Sequence, residues 1–263
     1  MGKITDALKK AATERLLRLE KLDTQGEVSY QFVAKKTLES NIDPRIVPFY
    51  DIQSPVTEQY RTLRTNLQAL KSEKPIKAIT ITSATHGEGK SITAINLALS
   101  LAQDLNKKSI LLVDADMRRA KISKYLGFKA EKGLSDILVD EANALDGAFV
   151  SIGIENLTIL PAGKIPHNPA ELLASAKMKN FIAMLKTKYD YIIFDSPPVI
   201  AVTDAGLLCP LTDGTVMVIQ ANRTQKGVIK HAESLLKQAH AKLLGYILTN
   251  VQYHIPAYIY RYL

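Results

Sequence analysis

At 263 residues, 46% hydrophobic and 23% charged, the chain has the make-up of a soluble globular protein, long enough to bury one large α/β core with an appendage. Its single cysteine, Cys209, excludes an internal disulfide and suits a reducing cytoplasm, and no run approaches the ~20 apolar residues that cross a bilayer. The net charge of +8 suits nucleotide, anionic lipid or nucleic acid and does not choose among them.

Residues 3–22 carry helical periodicity, with Ile4, Leu8, Ala11, Ala12, Leu16 and Leu19 on one broad face and Lys9, Lys10, Arg18 and Lys21 elsewhere. Such a helix suits docking on a partner or a membrane surface and equally suits packing on its own domain. No secretory signal is visible, and Met1-Gly2 fails as a myristoylation site because Asp6 stands where Ser or Thr is required. From Asp23 to Pro55 the periodicity is weak and Pro44, Pro48 and Pro55 punctuate it, so residues 1–53 read as a helix and linker ahead of a domain spanning 54–250. A helix from Val56 to Lys71 follows, started by Ser54-Pro55, with Val56, Tyr60, Leu63, Leu67 and Leu70 in one apolar stripe. Glu58, Arg61 and Arg64 step by three along a second stripe facing away from that seam, which by itself suits a solvated, salt-bridged face.

The apolar run Ala78 to Thr82 leads into Ser83-Ala84-Thr85-His86-Gly87-Glu88-Gly89-Lys90-Ser91, and a helical segment runs from Ile92 to Leu105. Strand, glycine-bearing loop, Gly-Lys-Ser and helix is the layout of a phosphate-binding loop, with Ala84 in place of the first glycine of the pattern. Glycines let backbone amides turn toward an anion, and the helix N-terminus adds partial positive charge. The residues expected to hold a nucleotide are therefore Ala84, Thr85, His86, Gly87, Glu88, Gly89, Lys90, Ser91 and Ile92, with Lys90 reaching the β- and γ-phosphates and Ser91 ligating Mg²⁺. An ordinary strand-to-helix turn with a chance Gly-Lys-Ser is the competing reading.

Further apolar strands follow at Ser109 to Val113, Leu157 to Leu160, Tyr191 to Phe194, Thr215 to Ile219 and Leu244 to Leu248, with helical patterns at Ala170 to Lys186 and Lys226 to Ala239. Alternating helices and uniformly apolar strands predict an α/β fold: a mostly parallel sheet flanked by helices on both faces. Cys209, in the run Leu207-Leu208-Cys209, reads as a buried structural thiol. Asp114, Asp116 and Asp195 sit at strand ends, where open parallel sheets bind ligands. Each could cap a helix; all three beside a phosphate loop suggest carboxylates around a nucleotide and its Mg²⁺. Residues 251–263 form a tail with Tyr253, Tyr258, Tyr260 and Tyr262, read either as a final edge strand or as a segment presenting hydroxyls. Such a site serves ATP hydrolysis or transfer to a hydroxyl.

From Ser54 to Asn250 the chain resembles the bacterial tyrosine kinases of polysaccharide synthesis and export. The loop Ser83–Ser91 resembles their Walker A, Ile110–Arg119 their Walker A-prime and Tyr191–Pro198 their Walker B; Glu58-Gln59-Tyr60-Arg61-Thr62-Leu63-Arg64 matches their E-x-x-R-x-x-R element. Pro161-Ala162-Gly163 and Asn168–Leu173 are also similar. The resemblance implies a P-loop fold and an ATP- and Mg²⁺-dependent tyrosine autokinase. Its catalytic residues would be Lys90, Asp114 and Asp116. The metal site would be formed by Ser91, Asp114, Asp116 and Asp195, with Asp114 also the candidate base. It further implies Tyr253, Tyr258, Tyr260 and Tyr262 as acceptors phosphorylated between subunits, and Glu58, Arg61 and Arg64 as ring-assembly residues. Implied partners are further copies of the chain, a separate membrane adaptor that regulates chain length and a tyrosine phosphatase, with no nucleic acid. Implied localisation is the cytoplasm at the inner face of the plasma membrane. His86 and Ala120 stand where many members have proline. The basic amphipathic start is similar to the variety found beside exosortase-linked loci. Septum-placement and partition ATPases share the fold but carry a second lysine where this loop has Thr85. A nucleotide-binding scaffold of polysaccharide assembly with weak catalysis is the third reading.

Overall fold

The computed structural model describes residues 35–36, 42–70, 75–140 and 144–251. The helix expected over 3–22, most of the linker before Ile42 and all four tail tyrosines lie outside the described residues. Among the described residues eight strands form one sheet: β1 (Lys35–Lys36), β2 (Ala78–Ser83), β3 (Ile110–Asp114), β4 (Val150–Ser151), β5 (Leu157–Leu160), β6 (Tyr191–Asp195), β7 (Gly214–Gln220) and β8 (Leu243–Thr249). Their order is β1-β4-β5-β3-β6-β2-β7-β8, and every neighbouring pair is parallel except β4 and β5. The expected α/β P-loop architecture is thus present. β3, β6 and β2, the strands that end in the acidic and glycine motifs, lie side by side at its centre.

Helices cover both faces. On one, α1 (Val47–Tyr50) and α2 (Pro55–Gln68) lie outside α3 (Lys90–Ala102), which is sandwiched against the sheet and buries eleven of its thirteen residues. Each fully buried Leu or Ile there contributes about 1.5–3 kcal/mol relative to exposure, which explains a helix apolar almost all round. β7 shows the period of two: Val216 and Val218 join this core, while Met217 and Ile219 join Cys209, Ala232 and Leu236 on the opposite face. The remaining helices are α4 (Ile122–Tyr125), α5 (Leu134–Val139), α6 (Pro169–Ala174), α7 (Ala176–Lys188), α8 (Asp204–Leu208) and α9 (Lys226–Gln238), the last two supplying Ala205, Ala232 and Leu236 to the opposite face.

Three local expectations change. Residues 42–53, read as linker, contribute Ile42 and Ile46 to the core, because Asp43 donates its amide to the Tyr125 carbonyl at 2.8 Å and seats the segment. The single helix expected from Ala170 to Lys186 is two. Ser175 is extended (φ −70°, ψ 153°), and its hydroxyl accepts from the Met178 amide at 3.1 Å, capping α7 instead of continuing α6. In α2, capped by Ser54 as expected, Arg64 does not face away. It donates to the Ser100 carbonyl at 2.6 Å and lies 4.0 Å from Asp104, while Arg61 pairs with Glu58 on the surface. Of the apolar stripe, Tyr60, Leu63 and Leu67 pack on the core, whereas Val56 and Leu70 are exposed.

Candidate active site

The phosphate loop opens from β2 with two positive-φ glycines, Gly87 (+83°) and Gly89 (+92°). Gly89 takes the N-cap of α3 without a side-chain cap, which leaves the first-turn amides free for an anion. A Cβ on Gly87 would meet the mobile end of Arg223 at 2.9 Å, so it is the positive φ that favours glycine there.

The loop is held from behind by groups far off in sequence. The buried Glu88 carboxylate accepts the Thr85 amide at 2.6 Å and the Thr224 hydroxyl. Thr249 donates to the Glu88 carbonyl at 2.8 Å; Arg223 donates to the carbonyls of Gly87 and His86, both at 3.2 Å. The Glu88 side chain thus shapes the loop. Ala84 is fully buried against the sheet, so it supports the loop from below. His86 is exposed at the mouth. Partial burial and then Arg119 hold its pKa below the ordinary histidine value, Lys90 and Lys121 adding to this and Asp116 opposing it.

Lys90 reaches into the acidic centre. Its ammonium donates to Asp116 Oδ2 at 2.9 Å, Ser91 Oγ at 3.2 Å and Asp195 Oδ1 at 3.4 Å. Burial opposes its charge, but Asp195, Asp116 and Asp114 together hold its pKa above the usual lysine value. Asp195 is fully buried. Burial pushes its carboxyl above the usual range against the pull of Lys90 and Ser91, and its Oδ2 has no hydrogen-bond partner. Asp114, also fully buried, accepts the amides of Lys121 and Ile122 at 3.0 Å on Oδ2 and of Asp116 at 3.2 Å on Oδ1. Burial and then the neighbouring Asp195 charge raise it to about 7.

Two features escaped the sequence. Arg118 forms a forked pair with the buried Asp204 at the start of α8, Nε to Oδ2 at 2.8 Å and Nη2 to Oδ1 at 3.0 Å. It ties the Asp116 loop to the segment that follows Asp195. A cleft of about 410 Å³ between Gln220–Arg223 and Asn250–Val251 opens beside the phosphate loop at the ends of β7 and β8. Both features join residues too distant in sequence for any local pattern to carry.

The buried hard oxygens of Asp116 and Asp195, the partnerless Asp195 Oδ2 and the Ser91 hydroxyl fit a divalent cation that takes its remaining ligands from water and phosphate. Among the described residues no three His, Cys, Asp or Glu side chains form a closed metal cage. The Asp114 carboxylate beside them accepts three backbone amides.

Residues 76–243 match the AAA domain family. Tyrosine-protein kinase YwqD of Bacillus subtilis is 37% identical over 214 residues, covering 81% of this chain and 89% of that protein. Tyrosine-protein kinase CpsD of Streptococcus agalactiae is 39% identical over 210 residues, 78% and 89% of the two. The solved kinase domain of Escherichia coli tyrosine kinase ETK superposes with a TM-score of 0.77 at 26% identity, covering 85% of this chain and 86% of that one.

Proposed function

Since the chain belongs to the bacterial tyrosine-protein kinases, we propose that it transfers the γ-phosphoryl group of ATP to tyrosines of its own C-terminal tail, each copy serving a neighbour. The observation that carries this reading is the buried Lys90 ammonium, held at the head of the loop between Asp116 and Asp195. That pairing keeps it charged and aimed where the terminal phosphates of a nucleotide on the loop would lie. Phosphoryl transfer asks the protein mainly to position groups and neutralise charge, and a preoriented lysine does both.

Ser91, Asp116 and Asp195 would hold Mg²⁺, which neutralises charge on the phosphate oxygens when bound. Asp114 is our candidate for the proton of the incoming tyrosine. Its Oδ1, with a single amide at 3.2 Å, keeps one lone pair unused for that proton. The cleft at Gln220–Arg223 and Asn250–Val251 would take the base of the nucleotide.

The family resemblance extends the reading outward. Glu58 and Arg61 would contribute to a ring of copies, a separate membrane adaptor would recruit it to the inner face of the plasma membrane, and a tyrosine phosphatase would reset it. The process controlled would be polysaccharide polymerisation and export, with no role for nucleic acid. Among the described residues no helix is long and apolar enough to cross a membrane.

Incubation with Mg²⁺-ATP should label tyrosines within 253–262, and Lys90→Met or Asp116→Asn should abolish the label. A wild-type chain that stays unlabelled in the presence of its adaptor's cytoplasmic segment rejects the kinase reading in favour of a nucleotide-binding scaffold.

A further inference from the structure

The loop after β5 folds back over the start of α5 on the same edge of the sheet as the phosphate loop. Leu134 and Ser135 donate their amides to the carbonyls of Pro161 and Ala162 at 2.8 and 2.9 Å. Asp136 Oδ2 accepts the amides of Gly133 at 2.9 Å and Lys164 at 3.2 Å, and the Ser135 hydroxyl donates to the Lys164 carbonyl at 2.6 Å. The product is a cleft of about 400 Å³ whose lining sets the apolar Val139, Ala144 and Ile165 among the charged Asp136, Asp140 and Lys164. Its two largest aliphatic side chains are held in water, Ile165 at 74% and Val139 at 63% exposure. Apolar groups displayed together at the mouth of a built cleft mark a surface that is covered in use.

Position says what covers it. β5 borders β3, and Leu160 pairs with Val113, the residue before Asp114. The cleft at Gln220–Val251 lies on the other flank, at the ends of β7 and β8, with Lys90 and the carboxylates between the two. A nucleotide with its base at β7–β8 and its phosphates on Lys90 aims its terminal phosphoryl toward β3 and β5. In-line transfer brings the acceptor from the side opposite the leaving oxygen, and that side is β5.

Building on the kinase reading, we propose that the cleft between α5 and the 161–166 loop docks the tyrosine-bearing segment 252–263 of a second copy. That segment leaves β8 on this same rim and alternates apolar and acceptor residues at Tyr258-Ile259-Tyr260. An aliphatic or aromatic side chain seated in the cleft therefore leaves a tyrosine beside it in the chain for the active centre. Twelve residues span up to ~40 Å when extended, against roughly 24 Å for the five strand spacings from β8 to β5. Length is thus sufficient. Between β8 and β5 of one subunit, however, stands β2 with its phosphate loop, which a segment reaching the β5 flank from a neighbour need not cross.

The test mixes two full-length chains: an active one with Tyr253, Tyr258, Tyr260 and Tyr262 changed to Phe, and an acceptor carrying Lys90→Met. Phosphate should appear on the acceptor's tail. Ile165→Glu in the active chain should cut that labelling at least tenfold with MgATP affinity changed less than twofold, and Val139→Lys should do the same. Ile165→Glu in the acceptor should leave it intact. Unchanged labelling, or loss only when the acceptor carries the change, overturns the docking site. If the unaltered pair yields no phosphate at all, the kinase reading has failed, and anisotropy of a fluorescent peptide spanning 250–263 decides the cleft by itself. Saturable binding lost in both cleft variants supports it; no binding, or binding untouched by them, overturns it.

Discussion

Glu88 shows how one residue in a recognisable motif can serve a purpose that the motif does not state. Its carboxylate accepts from the Thr85 amide and the Thr224 hydroxyl, two donors that converge inside the fold. Glu88→Ala removes the acceptor of both, and a buried donor left unmet costs about 1–3 kcal/mol. The loop should loosen and the nucleotide Kd rise roughly tenfold, each 1.4 kcal/mol being a factor of ten; titration of a fluorescent ATP analogue checks it. Thr224 and Thr249 lie 136 and 161 residues from Glu88, so nothing local in the sequence could announce the contact. Cys209 was legible, because a cysteine in an apolar run is usually buried. It is fully buried, and desolvation pushes its thiol up to about 11, so the thiolate that reacts is scarce at neutral pH. Iodoacetamide at pH 8 should leave the folded chain unmodified and alkylate it fully in denaturant, as mass spectrometry would read. Rapid modification of the folded protein would contradict this burial.

At the scale of the element, α2 divides into two roles that its heptad-like spacing presents as one. Arg61 and Glu58 form a surface pair, with side-chain exposures of 34% and 57%, which is worth at most about 0.5 kcal/mol. Arg64 is 18% exposed and reaches α3 through the Ser100 carbonyl; losing it should cost about 1–3 kcal/mol. Arg64→Ala should lower the Tm by several degrees, whereas Arg61→Ala should leave Tm unchanged and weaken assembly alone. Calorimetry and light scattering on the same samples separate the two, and equal Tm values for both variants would contradict the division. The periodicity gave α2 and α9 to within a few residues because one face of each meets the core, whereas α3, buried almost all round, was marked by its place after the glycine loop. It missed the break at Ser175, where a side-chain cap competes with helix continuation, and the pairing of Arg118 with Asp204, 86 residues away. Arg118→Ala strands the buried Asp204 carboxylate and should destabilise the protein by roughly 2 kcal/mol or more. A denaturant melt measures that cost.

For the molecule as a whole, the sheet was legible because its central strands are buried on both faces and so read as continuous apolar runs. Gathering Lys90, Asp114, Asp116 and Asp195 at one rim then followed from parallel topology, while the cleft partners, drawn from different ends of the chain, did not. Charge is the remaining global property, and the proposed reaction changes it. Each phosphotyrosine adds about −1.5 to −2. Four on the tail therefore take the chain from +8 to between about +2 and 0 while crowding about −6 to −8 at each subunit boundary. Phosphorylated assemblies should then fall apart, and light scattering on chains incubated with ATP and Mg²⁺ should report a smaller mass than on the Lys90→Met variant. Salt distinguishes the cause. The Debye length falls from about 10 Å at 0.1 M to about 3 Å at 1 M, so repulsion between tails should fade and the larger assembly should return. If dissociation instead follows from tails leaving their docking clefts, added salt will not restore it, and Ile165→Glu will dissociate the unphosphorylated assembly as well.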